Sequence, residues 1–182
     1  MDVFGHHAVV CDCSGDRIKR HNAIRDCLFD SCVAACWAPM KEITFLQAGS
    51  SERPADIFIP NFSHGKGLVI DTAVTCPLQR TFLHDSSQVV GFSCNKYADE
   101  VKSKPFRARV DNEGFDYLPF VVESFGGFSE GVIPFLSKLT SSISTRFSVE
   151  KSVCSKSLYG ELSIRLMKPV ARSISSRFLE NF

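Results

Sequence analysis

The spacing of apolar positions changes several times along this chain, and each change marks an element. Between residues 16 and 37, Ile18, Ile24, Leu28 and Val33 recur near helical spacing among charged neighbours, which predicts an amphipathic helix. Ser14 and Asp16 stand where caps are needed, and Pro39 ends the run. The pattern then shortens to a period of two. Residues 42–46, 55–60 and 67–76 alternate or run apolar and are rich in β-branched side chains, which predicts three strands. The last two flank Asn61-Phe62-Ser63-His64-Gly65-Lys66-Gly67, expected to be a seven-residue hairpin turn. A charged helix is predicted over residues 93–110, with Pro105 an awkward interior residue because it lacks an amide donor. An apolar strand follows at residues 117–122, closed by Phe125-Gly126-Gly127. Helices at residues 129–145 and 158–179, separated by a serine-rich stretch, complete the chain.

The order helix, three strands, helix, strand, helices describes an α/β fold with a mixed sheet and helices on its faces. The 182 residues, 44% of them apolar, suffice for one real core, and no internal repeat or low-complexity linker divides them. Leu162, Leu166, Val170 and Ile174 recur every four residues in the last helix, a stripe best explained as core packing.

Charge and cysteine content narrow the function classes without choosing one. A formal net charge of +1 does not mark a polyanion binder, so any nucleic-acid contact must come from local basic patches. Residues 151–182 carry six Lys/Arg against two acids and form a basic tail. Eight cysteines would fit a disulfide framework, but the opening residues hold no leader pattern and no apolar run approaches the roughly eighteen residues of a membrane span. An intracellular, reduced chain with no membrane partner is therefore expected. Cys27, Cys32 and Cys36 are read as buried structural thiols, and His64 and His84 as solvated loop residues. No Gly-x-Ser-x-Gly elbow or Cys/His pair points to a serine or cysteine hydrolase.

The candidate chemistry lies in an acidic pair. Asp56 opens one strand and Asp71 sits inside the next, fourteen residues intervening, so antiparallel pairing can set the two carboxylates side by side at one end of the sheet. A carboxylate inside an apolar strand is costly to bury unless it meets a cation. Mg²⁺ or Mn²⁺ would supply one, and a carboxylate-held metal beside an ammonium suits phosphodiester hydrolysis. Lys102, on the next predicted helix, is positioned to reach the pair. The plainer alternative has Asp56 capping a turn and Asp71 paired with an arginine such as Arg53.

Arg20-His21-Asn22, Arg53-Pro54-Ala55-Asp56, Asp71-Thr72-Ala73 and the following lysine-bearing helix together resemble the restriction-like endonuclease domain of site-specific non-long-terminal-repeat retrotransposons, a branch of the PD-(D/E)xK nucleases. The resemblance spans roughly residues 2–138. It implies a restriction-endonuclease-like sheet, with Asp56 and Asp71 as Mg²⁺ ligands and the catalytic lysine moved from the Ala73 position to the next helix. Lys102 aligns there, with Lys96 and Lys104 as alternatives; Pro105-Phe106 stands where the family carries Lys-Tyr. It further implies helix-orienting or DNA-phosphate roles for His21 and Asn22 and, for Glu123 before Gly126-Gly127, either support of the site or the mere end of the strand; the spacing of Arg17, Arg20 and Arg25 on the first helix fits phosphate contact or a solvated face equally, and Glu42 is a candidate added metal ligand. Asp2-x-x-Gly5-x-His7-x-x-x-Cys11 is similar to the second half of the zinc knuckle that precedes this domain. The cysteine pair of the first half would lie before Met1, so Zn²⁺ is expected only if that half is supplied and the chain is expected to be a piece of a longer element. The implied organisation is a knuckle remnant at residues 1–13, a nuclease domain at 14–146 and a basic helical extension at 147–182. The implied function is metal-dependent nicking of DNA in the nucleus, to prime a reverse transcriptase region of a longer polyprotein. The alternative is a catalytically degenerate transposon-derived remnant that binds DNA or protein.

Overall fold

In the computed structural model, residues 15–42 and 56–179 are described. The first helix, α1, runs Asp16–Ala34. Gly15 caps it in the left-handed conformation, and Asp16 in the first turn faces the positive end of the helix dipole. Ser14 lies outside the described residues. The helix closes three residues earlier than its apolar pattern predicts, because Cys36 adopts φ 59° and the Trp37 N–H turns back to the Cys32 carbonyl at 3.1 Å. Ile24, Cys27, Leu28 and Cys32 form the buried stripe. Ile18 and Val33 do not join it and are 64% and 49% exposed. Cys36, beyond the helix end, is exposed rather than buried, whereas burial pushes the Cys27 thiol up to about 11.

Four strands follow the expected order: β1 (Met40–Lys41), β2 (Ile57–Ser63), β3 (Lys66–Thr75) and β4 (Asp116–Glu123). They lie in the order β1-β2-β3-β4, antiparallel up to β3, while β4 runs parallel to β3. Most of the first predicted strand, residues 43–46, lies outside the described residues; what is seen is the short β1 just before it. The hairpin turn is tighter than predicted. Ser63 pairs with Lys66, and His64 and Gly65 turn the chain with φ 48° and 80°, both left-handed as a two-residue primed turn requires. Asn61 (φ 52°) sits in a register shift between Ile59 and Ser63, so polar residues that read as loop belong to a bulged strand.

The crossover from β3 to β4 carries α2 (Leu83–Ser86), α3 (Phe92–Tyr97), a π-helical turn (Ala98–Ser103) and α4 (Lys104–Asn112). His84 thus lies in a short helix rather than a loop, and is exposed. The predicted single helix is real but broken in register. Pro105 falls in the first turn of α4, where its missing N–H matters least, and the preceding π turn widens the backbone upstream of the proline ring. After β4, α5 (Val132–Phe147) and α6 (Lys151–Leu179) form a helical pair joined through Ser148 at φ 52°. The serine-rich stretch expected to separate them is mostly the first two turns of α6.

Alternation along the strands sorts side chains onto two faces. Ile57, Ile59, Leu68, Ile70, Phe120 and Val122 join Ile24 and Leu28 of α1, Leu136 and Leu139 of α5, and Leu158, Leu162 and Leu166 of α6 in the main core. The α6 stripe therefore packs as core; Val170 and Ile174 continue it against Cys76. The crossover helices cover the other face with two smaller clusters, Phe58-Val69-Val110-Tyr117 and Ala73-Cys94-Ala98-Val121. Asp71 lies between them in the β3 alternation. Among the described residues the result is a mixed four-stranded α/β sheet covered by helices on both faces. Among the described residues no helix is long and apolar enough to cross a membrane.

Candidate functional site

Ile57, the first residue of β2, pairs with Ile70, so Asp56 and Asp71 each lie one residue from that pair on neighbouring strands. Asp56 is anchored through its backbone as well: its N–H donates to the Ile70 carbonyl at 3.0 Å, and its carbonyl accepts from the Glu42 N–H at 3.1 Å. The Asp56 Oδ2 atom accepts two bonds from Thr72, one from the backbone N–H and one from the hydroxyl, each 2.6 Å. His21 Nε2 of α1 stands 3.1 Å from Oδ1. Burial pushes the Asp56 carboxyl up, but the His21 bond and charge and the two Thr72 donors outweigh it and hold the group below its ordinary value.

Asp71 faces the opposite side of the sheet from Thr72. Lys102 Nζ, from the π turn, donates to its Oδ1 at 2.9 Å, and the Tyr117 hydroxyl of β4 donates to its Oδ2 at 3.1 Å. The same hydroxyl lies 3.4 Å from the Lys102 carbonyl oxygen, tying the strand to the turn that carries the lysine. Burial raises the Asp71 carboxyl above its ordinary value; Lys102 pulls it down, and the negative charge of Asp56 adds to the rise. Burial, with Asp71 next to it, likewise raises the Tyr117 hydroxyl. The two carboxylates thus come from neighbouring strands, Asp56 held as an anion by His21 and Thr72, and Asp71 buried and paired to a lysine.

Ala73 shares the face of Asp71 two residues on, and Cys94, Ala98 and Val121 fill the space about it. No long side chain is accommodated there, and Lys102 enters from the crossover instead. Lys96 turns its ammonium over the Phe92 ring at 5.4 Å, and Lys104 is exposed. Of these three lysines, Lys102 is the one placed against Asp71. The alternative pairing to Arg53 falls outside the described residues, as do His7, Cys11 and the rest of the knuckle motif.

The remaining sequence candidates scatter. Glu42 accepts from Arg25 Nη1 at 2.7 Å, and Arg25 also engages Asp26, to which Lys41 donates at 2.9 Å. Glu42 is thereby tied to an arginine at the β1 edge. Arg17 is exposed, Arg20 is buried at 4% exposure and Arg25 is ion-paired, so the three do not present one open phosphate-binding face. Asn22 is half-buried. Glu123 accepts from Ser93 Oγ at 2.8 Å and pairs in register with Thr75, four residues beyond the Asp71 level, a separation of about 13 Å along the strand. It closes the end of β4 and does not meet the acidic pair. Two residues to which the sequence reading gave no role contact the two carboxylates: Thr72 bonds Asp56 and Tyr117 bonds Asp71. Tyr117 carried a usable signal, since a tyrosine opening a buried strand needs a partner for its hydroxyl.

The acidic pair suits a hard divalent cation by donor type. Each carboxylate oxygen offers two lone pairs. Thr72 uses both on Asp56 Oδ2, which leaves one each on Asp56 Oδ1, Asp71 Oδ1 and Asp71 Oδ2. Two carboxylates with water and phosphate oxygens completing the shell is the usual set for Mg²⁺. Among the described residues no group of three or more His, Cys, Asp or Glu converges to hold an ion by itself. No family model matches the chain, and no curated protein matches it.

Proposed function

We propose that this chain is a metal-dependent DNA endonuclease domain of restriction-endonuclease-like type. The observation that carries the reading is the placement of Lys102 Nζ at 2.9 Å from Asp71, with Asp56 on the neighbouring strand, one residue before the Ile57–Ile70 pair. Mg²⁺ or Mn²⁺ held by Asp56 and Asp71 would supply Lewis-acid polarisation of a phosphodiester. Lys102 stabilises charge developing on the phosphate oxygens and holds the Asp71 carboxylate in position. His21 and Thr72 fix the rotamer of Asp56 and keep it ionised; Tyr117 does the same for the orientation of Asp71. In a longer polyprotein with a reverse transcriptase region, acting in the nucleus, a nick made here would expose a 3′ end for priming.

A non-catalytic DNA- or protein-binding remnant is the second reading. It is favoured by one observation: Asp56 and Asp71 already have donors from the protein on all four oxygens. Supercoiled plasmid incubated with Mg²⁺, Mn²⁺ or chelator separates the two. Metal-dependent conversion to open circle, reduced about a hundredfold or more in Asp71→Ala and Lys102→Ala, is the expected result. Plasmid that stays supercoiled with folded protein under every condition removes the enzyme and leaves the binding module.

A further inference from the structure

The α1–α6 pair carries charge that the acidic site does not use. Between residues 162 and 179 the chain holds Arg165, Lys168, Arg172 and Arg177 and no Asp or Glu. Leu162, Leu166 and Val170 turn one stripe of α6 into the core, while Arg165, Lys168 and Arg172, at spacings of three and four, share another face and are exposed. Together with Lys19 of α1 these three line a cleft of about 370 Å³, in which Asp16 is the one acid among the described residues. Two of the four cations are already engaged: Lys19 Nζ lies 3.4 Å from Asp16, and Arg165 Nε donates to Glu161 at 2.7 Å. Lys168 and Arg172 have no ion-pair partner among the described residues. The helix dipole does not account for them, because its effect fades beyond the last turn and α6 continues to Leu179, about two turns past Arg172 and about three past Lys168. Like charges four residues apart repel each other on a helix, and an anion held between them removes the repulsion. Lys168 and Arg172 are about 6 Å apart along the axis, and Lys19 stands on a second helix. Cations spread in this way suit a polymer of phosphates better than one small anion. With a net charge of only +1 on the whole chain, attraction of a polyanion must come from a local patch of this kind.

We propose that this basic cleft docks the phosphate backbone of double-stranded DNA, holding the duplex without reading its bases. The choice of DNA among polyanions rests on the nuclease reading; the anion chemistry rests on the charges alone. Helix α1 links the two places: Lys19 lines the cleft, and His21, two residues on, stands 3.1 Å from Asp56. A backbone held between α1 and α6 is thereby fixed relative to the acidic pair. Most of the phosphate-binding charge then comes from α6, outside the residues that carry the family resemblance, rather than from Arg20 and Arg25.

The test is binding of a short labelled DNA duplex to the full chain in chelator, read by fluorescence anisotropy over a range of salt concentrations. The expected result is salt-sensitive binding that falls about tenfold or more in Lys168→Gln/Arg172→Gln, with the slope of log affinity against log salt shallower by about two. The charge-conserving Lys168→Arg/Arg172→Lys should bind as the wild type does, and so should Lys156→Gln, which removes an exposed charge from the first half of α6. Lys168 and Arg172 are at the surface, and the charge-conserving variant separates loss of charge from loss of fold. No duplex binding by the wild type, undiminished affinity in Lys168→Gln/Arg172→Gln, or an equal loss in Lys156→Gln overturns the proposal. Polyglutamate that binds as tightly as the duplex at equal charge assigns the cleft to an acidic protein and overturns it as well. Because the titration needs no metal, its outcome is separable from that of the plasmid assay: nicking that persists at the wild-type level in Lys168→Gln/Arg172→Gln discards the cleft, whereas duplex binding lost in that variant while the wild type nicks nothing discards the nuclease and keeps the cleft.

Discussion

The two faces of the sheet are built to different specifications. Towards α1, α5 and α6 the strands present a continuous apolar surface, and Ile70, Phe120, Leu136, Leu139 and Leu162 are almost wholly buried in one core. Towards the crossover, the apolar contacts split into two small clusters, and the gap between them holds Asp71, Lys102 and the Tyr117 hydroxyl. The first face supplies stability through area removed from water. The second gives up part of that area to keep a carboxylate and an ammonium buried together, which seldom stabilises a fold better than apolar residues of the same volume. Expensive polar groups gathered on the less cohesive face of a sheet are what a reactive site looks like.

The comparison is broken most severely by removing bulk from the cohesive face. Leu136→Ala should lower stability by about 2 to 5 kcal/mol in urea unfolding, while Val110→Ala in the small cluster opposite should cost about 1.5 kcal/mol. Equal losses would mean that the two faces are equally cohesive. Lys102→Met comes next. It leaves Asp71 buried without its cation and should cost about 1 to 3 kcal/mol at neutral pH. The double variant Lys102→Met/Asp71→Asn should recover much of that loss, and a double variant as unstable as the sum of the singles would show that the pair does not interact.

The smallest effect is a matter of pH. Asp56 binds its proton less tightly in the folded chain, so the stability it adds is present above its ordinary value of 3.8 and is lost as pH falls through the lower folded value. Asp71 binds its proton more tightly when folded, so its contribution is present below 3.8 and is lost as pH rises through the raised folded value. Urea midpoints measured across acid pH should therefore diverge: Asp56→Asn should lose ground to the wild type as pH rises, and Asp71→Asn should gain on it. Parallel profiles for the two variants would remove the asymmetry between the carboxylates.

Local patterning carried much of the architecture. The helix at α1, the β2-β3 hairpin, the apolar β4 and the α6 stripe each announce themselves by period, because burying one face forces a repeat of two or 3.6 residues. Where the reading missed, nearby residues had been judged without their distant partners. Asn61, Ser63 and Lys66 look like loop, yet the turn needs only His64 and Gly65 once the flanking residues are held in a ladder. Arg17, Arg20 and Arg25 share a helix, but packing buries one and Glu42 captures another. Glu123 reads either as support for the site or as the end of its strand, and the parallel register, which places it beside Thr75, chooses the strand end.

By itself the sequence determined that Asp56 and Asp71 lie on the two arms of a hairpin, since two β-patterned runs flank a short turn-forming segment. It also determined that a helix with Pro105 near its middle must be irregular. Only the tertiary structure decided which lysine meets Asp71, because that depends on the π turn ahead of Pro105 and on the parallel pairing of β3 with β4. It alone decided that Tyr117 and Thr72 complete the site. Hydrogen bonds between groups 16 to 46 residues apart leave no periodic trace in a chain; they follow from how sheets and helices stack.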